Sequence, residues 1–228
     1  MRPALILALF GVAGSNLCAQ LPAASRPTVG ATGNASVFVQ PDQVQIDATV
    51  TTRAMTAQDA GSQNATQTAA VLSALTQLLG AGSNIKTVGY SLSPIYNYPT
   101  GGTPTLAGYT ASNTIEVTLS AISMAGQVID TATQAGATTI AGLRFGLKDS
   151  EPARRQALQQ ATAVAKSHAD SMAGALGGTV GTIVLVQEGI STRPIVTPLA
   201  ASAGATTTPV QAGLVEVDAT VTLEALLN

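Results

Sequence analysis

The single histidine is the first residue to test for catalysis. His168 is flanked by Ser167, Asp170 and Ser171, and serine, histidine and aspartate are the residue types of a hydrolytic triad. The surrounding segment has helical periodicity, and residues one or two positions apart on a helix do not face each other. The spacing therefore favours a polar patch on a helix over a catalytic group.

Other signatures of catalysis or ligation are also missing from the sequence. No serine lies in a G-x-S-x-G turn, and the glycine pairs at 101–102 and 177–178 belong to no phosphate- or dinucleotide-binding pattern. Asp130, Asp149 and Glu151 fall near predicted helix ends, where carboxylates serve as caps. Metal ligation would require histidines, cysteines or clustered carboxylates at ligand spacing. We therefore expect no enzyme activity, no cofactor and no metal site.

The composition describes an apolar chain with few ions. Hydrophobic residues make up 46% of the 228 residues and charged residues only 10%, against about 25% charged residues in an average soluble domain. The formal net charge is −2, and no run of basic residues is present. Binding to a phosphate backbone depends on clustered lysine and arginine, so we expect no nucleic-acid partner.

The first residues have the layout of a secretory signal peptide. Arg2 precedes an apolar run from Ala4 to Ala13, and small and polar residues follow. Such a run is too short to span a bilayer comfortably. We predict a signal peptide at 1–19 with cleavage after Ala19, while Ser15 is an alternative last residue and an uncleaved anchor is the alternative interpretation.

Export has consequences for the mature chain. Cleavage after Ala19 also removes Cys18, the only cysteine, so the mature protein is predicted to contain no thiol or disulfide. No later stretch reaches 18 consecutive apolar residues, and we expect no transmembrane span in the mature chain. The predicted location is periplasmic or secreted, and association with the outer membrane stays open.

Hydrophobic periodicity predicts the order ββ-α-ββ-α-β-α-ββ. Strands are expected at 32–40, 43–53, about 85–95, about 107–121, 139–148, 180–188 and 213–227, and helices at 56–79, 123–136 and 150–176. Most neighbouring strands can pair as hairpins. We therefore expect an α+β fold, with a largely antiparallel sheet and helices packed on one face. After a leader at 20–27, residues 28–225 are predicted to form one domain.

The longest predicted helix carries alanine at every fourth position from Ala153 to Ala173. Six alanines at this spacing form a low ridge, which allows another backbone to approach closely. Alanine also has the highest helix propensity, so the same residues could be filler. The regular spacing favours close packing.

A different segment, residues 190–211, is rich in threonine, alanine and proline and has no period. We predict that it is a long mobile loop, dispensable for folding and cleaved first in limited proteolysis.

The four tyrosines lie within twenty residues of each other. Tyr90 and Tyr109 fall in predicted strands and are expected to be core or sheet-pairing residues. Tyr96 and Tyr98 enter a predicted loop with two glycines and offer apolar area with few rotatable bonds. We predict that these two contact a neighbouring subunit or, failing that, a ligand. The alternative is that they fold back onto their own sheet.

Several segments in order resemble the SIMPL-domain family of secreted and periplasmic bacterial proteins, which includes a periplasmic immunogenic protein. The matching stretches cover nearly all of residues 28–225 and include "VGATGNASVFVQPDQVQIDATV", "IKTVGYSLSPIYNY", "GYTASNTIEVTL", "GQVIDTATQAGATTIAGLRFGL", "ALGGTVGTIVLVQEG" and "PVQAGLVEVDATVTLEA". The segment 190–211 departs from the family pattern.

The resemblance implies an envelope protein with an α+β fold and homo-oligomerisation, with ring- or channel-like assembly described for a relative and a link to oxidative stress for others. It brings no catalytic residues. Two interpretations follow. The first is a non-enzymatic secreted or periplasmic protein that self-associates and has a cell-envelope or stress-related role. The alternative is a monomeric envelope binding module that holds a small ligand at the tyrosine-rich loop.

Export and cleavage can be tested directly by intact-mass measurement of protein from the envelope fraction. The mature chain should begin between Asn16 and Gln20, because the small and polar residues after the apolar run are where a signal peptidase cuts. Recovery of the full-length chain from the cytoplasm would contradict the prediction.

Overall fold

The computed structural model describes residues 26–194 and 208–228. In these residues the strands are β1 (Thr28–Val39), β2 (Gln43–Ala54), β3 (Asn84–Asn97), β4 (Thr105–Leu119), β5 (Thr139–Gly146), β6 (Val180–Pro194) and β7 (Val215–Leu227), and the α-helices are α1 (Ala57–Leu79), α2 (Ala125–Gln134) and α3 (Glu151–Ala175). A short 3₁₀ turn precedes α2. The order of strands and helices is the one that the sequence predicts.

The strands form two antiparallel sheets, with the orders β1-β7-β6 and β3-β4-β2-β5. The α+β class and the antiparallel pairing are confirmed, but the sequence predicts one sheet and the described strands form two. The reason is that β1 pairs along its whole length with β7, from Thr28 opposite Leu226 to Val39 opposite Val215. It therefore leaves β2 to pair with β4 and β5.

The four-stranded sheet is covered on one face by α1 and α2. Alternate residues of β2 and β4 point into this core, and Ile46 and Ile115 are fully buried there. Helix α1 contributes Val71 and Leu75, which follow its helical stripe. The opposite face of β2 and β4 carries the alternating polar residues, as the period of two predicts.

Helix α1 is fixed at its start and near its middle by side-chain hydrogen bonds. The Thr56 hydroxyl accepts a hydrogen bond from the backbone N–H of Asp59 at 3.1 Å and caps the helix. The buried Asn64 amide donates to the carbonyl oxygens of Val50 at 2.9 Å and Ala111 at 3.2 Å. One side chain thus joins α1 to two neighbouring strands.

Helix α3 packs against the three-stranded sheet through its alanines. All six members of the series are buried, and the first five, from Ala153 to Ala169, pack in one core with residues of β1 and β7. At Gly33 of β1, a Cβ atom would overlap the carbonyl oxygen of Ala161 and the backbone nitrogen of Ala165. The helix backbone therefore touches the strand backbone, and the close-packing interpretation is confirmed.

Three other predicted segments fall wholly or partly outside the described residues. The signal peptide at 1–19 lies outside them, as does most of the leader at 20–27, although the Pro27 carbonyl accepts a hydrogen bond from Leu227 N–H at 2.9 Å. Strand β6 runs through Pro194, five residues into the segment predicted as a mobile loop. Thr208 donates two hydrogen bonds to the Asp130 carboxylate of α2, and residues 195–207 lie outside the description.

The helix–strand contact can be tested with Gly33→Ala. The added methyl group has no space between β1 and α3, so the free energy of unfolding should fall by about 1–3 kcal/mol, measured by urea denaturation. The control is Gly30→Ala on the same strand, where the new Cβ would lie 4.0 Å from the nearest atom outside its chain neighbours, the Leu223 carbonyl oxygen. Equal stability of the two variants would contradict the packing.

Candidate functional site

His168 takes part in a structural hydrogen bond between α3 and β1. Its Nδ1 lies 3.0 Å from the carbonyl oxygen of Thr32, and since a carbonyl can only accept, Nδ1–H is the donor. The neighbouring Ser171 hydroxyl donates to the backbone carbonyl of Ser167 at 2.8 Å. These side chains do not converge on a common point, which agrees with a polar patch on a helix.

The carboxylates near the helix ends also have backbone or side-chain partners. Asp149 accepts a hydrogen bond from the N–H of Glu151 at 2.9 Å, and Glu151 lies 3.1 Å from Arg154. In residues 26–194 and 208–228, no three side chains of histidine, cysteine, aspartate or glutamate lie together as metal ligands would. The helices of the described part include none that is both long and apolar enough to cross a membrane.

Tyr96 and Tyr98 lie at the tip of the β3–β4 hairpin. Strand β3 continues through Asn97, so Tyr96 belongs to a strand and pairs with Leu106, and only Tyr98 lies in the turn. The two ring centroids are 6.4 Å apart, with their planes tilted by 57°. Tyr96 is 46% exposed and Tyr98 is 73% exposed. The two rings and Leu106, here called the tyrosine tip, form an exposed apolar group.

Tyr90 and Tyr109 both pair within the sheet, as the sequence predicts. Tyr90 lies opposite Asn113, and Tyr109 lies opposite Ala54 on one side and Pro94 on the other. Tyr109 is half-buried, whereas Tyr90 is exposed beside the start of α1. The strand pattern alone does not reveal this exposure, because it depends on how far the helix extends over the sheet.

Strand β3, at one edge of the four-stranded sheet, is exposed along nearly its whole length. Its apolar residues Val88 (49% exposed), Tyr90 and Leu92 lie in the part between the tyrosine tip and Lys86. Helix α1 lies over β2 and β4 and leaves these side chains uncovered. Exposed apolar side chains on an edge strand are suited to contact with another molecule.

Strand β6, at one edge of the three-stranded sheet, carries the second exposed apolar group. Ile183, Val184, Leu185 and Val186 are consecutive and all exposed, with Val186 at 58%. An unbroken apolar run is typical of a strand that is buried on both faces. The sequence analysis did not predict this run as a site. The sequence signal that could have identified it is that apolar residues follow each other without the polar residues that alternate with them in β7.

A row of charges crosses the open face of the four-stranded sheet. Arg144 of β5 bonds with Asp47 of β2 and lies 3.1 Å from Glu116 of β4, whose other oxygen is 2.8 Å from Lys86 of β3. The hydrogen bond with Asp47 is the largest influence that raises the pKa of Arg144, so its guanidinium stays charged. The row ties all four strands together.

The three-stranded sheet has a similar polar row. Arg193 of β6 lies 3.3 Å from Glu216 and 2.8 Å from Asp218 of β7, and the Ser36 hydroxyl of β1 donates to Asp218 at 2.6 Å. The pKa of Asp218 is lowered, first by the hydrogen bond from Ser36 and then by the charge of Arg193, while partial burial opposes the shift. The carboxylate therefore stays ionised to a more acidic pH than usual.

Concave surface is also present, but its lining does not specify a substrate. A groove of about 570 Å³ is lined by one face of α1 and the end of α2. Its residues are Ser62, Gln63, Thr66, Gln67, Ala70 and Ala135. None of them is charged or titratable, so the groove offers no acid, base or nucleophile with a perturbed pKa.

Comparison with known proteins gives one family. The family model SIMPL, described as a protein of unknown function (DUF541), matches residues 29–225. An uncharacterized protein YggE of Edwardsiella ictaluri is 29% identical over 82% of this chain and 78% of its own length. The 26 kDa periplasmic immunogenic proteins of Brucella melitensis and Brucella abortus are each 26% identical over 75% of this chain and 70% of their own length.

The polar row on the three-stranded sheet predicts an acid-dependent effect. Ser36→Ala removes the main hydrogen bond that stabilises ionised Asp218, so the pKa of Asp218 should rise towards its ordinary value of about 3.9. A depressed pKa in the folded state stabilises the fold above that ordinary value, and this stabilisation disappears as the pH falls through the folded-state pKa.

The pKa can be followed by NMR titration of the Asp218 carboxyl carbon. Thr32→Ala is the matched control on β1, because Thr32 bonds with the Thr222 hydroxyl and not with a carboxylate. If Asp218 titrates at the same pH in the Ser36 variant and in the unchanged protein, the assigned cause of the shift is wrong.

Proposed function

This chain belongs to the SIMPL family, and from that premise we propose that it is a non-enzymatic periplasmic protein that self-associates into a homo-oligomer with a role in the cell envelope. The periplasmic location is supported by the names of the two Brucella relatives and by the predicted signal peptide. A stress-related role rests on the family resemblance alone. The chemistry supports a non-enzymatic role, because His168 and the helix-end carboxylates are engaged in structural bonds.

The observation that carries self-association is the placement of exposed apolar side chains. They concentrate on β3, β6 and the tyrosine tip, while the outer faces of the inner strands are polar. Scattered exposed apolar residues are ordinary on a monomer, but the run Ile183–Val186 leaves both faces of an edge strand apolar and exposed, which favours contact with another molecule. A surface of this kind is stable in water when another chain covers it.

The tyrosine tip is proposed as part of the contact between subunits. Both rings project from the end of a long hairpin, where Tyr98 is mostly exposed and Tyr96 keeps about half of its surface exposed. Tyrosine contributes large apolar area at a low entropy cost, since only two side-chain torsions have to be fixed on binding. A monomer that holds a small ligand between the two tilted rings is the alternative function for the same residues.

The double variant Tyr96→Ala with Tyr98→Ala tests this proposal. Loss of both rings should shift the protein to smaller species in size-exclusion chromatography with light scattering, while the circular dichroism spectrum stays unchanged because both side chains are exposed. Phe38→Ala is the control, since Phe38 is an exposed aromatic residue on β1. If the oligomer persists in the double variant, the tip is not a subunit contact.

A further inference from the structure

The two exposed edge strands fit each other, and we infer that β3 of one copy pairs antiparallel with β6 of the next copy. This inference rests on the proposed self-association and names the surface that carries it. The contact is heterologous, because each copy contributes β3 to one neighbour and β6 to another. The two sheets would then continue from subunit to subunit.

The backbones of these edges are matched in length. Strand β3 has 14 residues and β6 has 15, and among the described strands each has a neighbour in its sheet on one side only. Such an edge presents N–H and C=O groups that can accept a further strand. The other two edges differ from this pair, because β5 has only 8 residues and β1 is covered on one face by α3.

The side chains select one register. Antiparallel pairing that sets Lys86 opposite Glu188 brings Val88 to Val186. The register shifts of the two edges fall at Val88 and Val184, so beyond them Tyr90 lies near Val184 on the other face of the sheet from Lys86. Opposite charges and apolar pairs directly across from each other both stabilise a sheet. None of the ion pairs found in the described residues involves Glu188, while Lys86 is exposed and can bridge Glu116 and a second carboxylate.

A parallel arrangement does not give this fit. If Lys86 again lies opposite Glu188, Val88 meets Ile190 and Tyr90 meets Thr192, so the apolar run at 183–186 passes beyond the end of β3. Parallel pairs are also slightly less stable for each residue. The agreement of charge and apolar register therefore favours the antiparallel pair.

The partner is a second copy of this chain because the chain carries both halves of the contact. Pairing of β3 with β3, or of β6 with β6, would cover one apolar edge and leave the other in water. A heterologous contact covers both, and it produces a ring when the rotation between subunits closes. Strand β3 has a register shift at Val88, and β6 has one at Val184. Because such bulges bend a strand, both edges suit a curved assembly.

Two lysine substitutions test the pairing by complementation. Val88→Lys should disable β3, and Val186→Lys should disable β6, because each places a charge directly opposite a valine of the partner strand and replaces an apolar pair. Each variant alone should lose association by roughly ten- to a hundredfold in its equilibrium constant. An equimolar mixture should form dimers of one copy of each and nothing larger, because one intact β3 meets one intact β6.

Phe38→Lys on β1 is the matched control and should assemble like the unchanged protein. The result that overturns the inference is assembly of both edge variants as before, or failure of the mixture to form dimers. If the unchanged protein is itself monomeric in light scattering, the proposed self-association fails, and the pairing fails with it. If the unchanged protein assembles and the edge variants do too, only the pairing fails.

Disulfide trapping tests the register independently of any loss of assembly. In a background with Cys18→Ser, the variants Val88→Cys and Val186→Cys are made in separate chains and mixed under mild oxidation. Residues directly opposite in an antiparallel pair have Cα atoms about 4.5–5.5 Å apart, which a disulfide can span. The mixture should give a crosslinked dimer of unlike chains, whereas crosslinking of either variant with itself would point to β3–β3 or β6–β6 pairing.

Discussion

Each helix layer in this protein is narrower than the sheet it covers. An α-helix with its side chains is about 10–12 Å wide, and neighbouring strands are about 4.8 Å apart, so one helix shields about two strands. Helix α3 shields β1 and β7, α1 lies mainly over β2 and β4, and α2 packs beside α1 over β2, on the side away from β3. The exposure of β3 and β6 follows from this mismatch of widths, and so does the location of the candidate interaction surface.

The low alanine ridge of α3 increases the difference in width between this helix and the three-stranded sheet that it covers. Because the ridge has almost no height, the helix backbone comes into contact with β1 at Gly33 instead of standing off on long side chains. Larger residues at Ala161 or Ala165 would lift the helix and leave Gly33 unfilled. The alanines of α3 thus give a close contact with β1 and β7 only, and β6, the third strand of the sheet, is little covered by the helix.

Most elements of the fold could be predicted from the sequence because they depend on local signals. Residues close together in the sequence determine the alternation in β2 and β7, the cap at Thr56 and the alanine spacing in α3. The division into two sheets could not be predicted, since the partner of β1 lies at the other end of the chain. Likewise, the sequence of the apolar run Ile183–Val186 is that of a core strand, and its exposure becomes clear only from the position of α3. The sequence also places Tyr96 in a loop, because the glycines that follow it obscure where the strand ends.

The union of β1 and β7 has a consequence for the order in which the chain acquires structure. Thr32 and Thr222, which share a hydrogen bond across these strands, are 190 positions apart, and closing a loop of that length carries an entropy cost before any contact is gained. The first strand has no partner until the last strand is available. The three-stranded half of the molecule therefore assembles only when both ends of the chain are present, whereas β2, β3 and β4 can associate with α1 before the last strand joins.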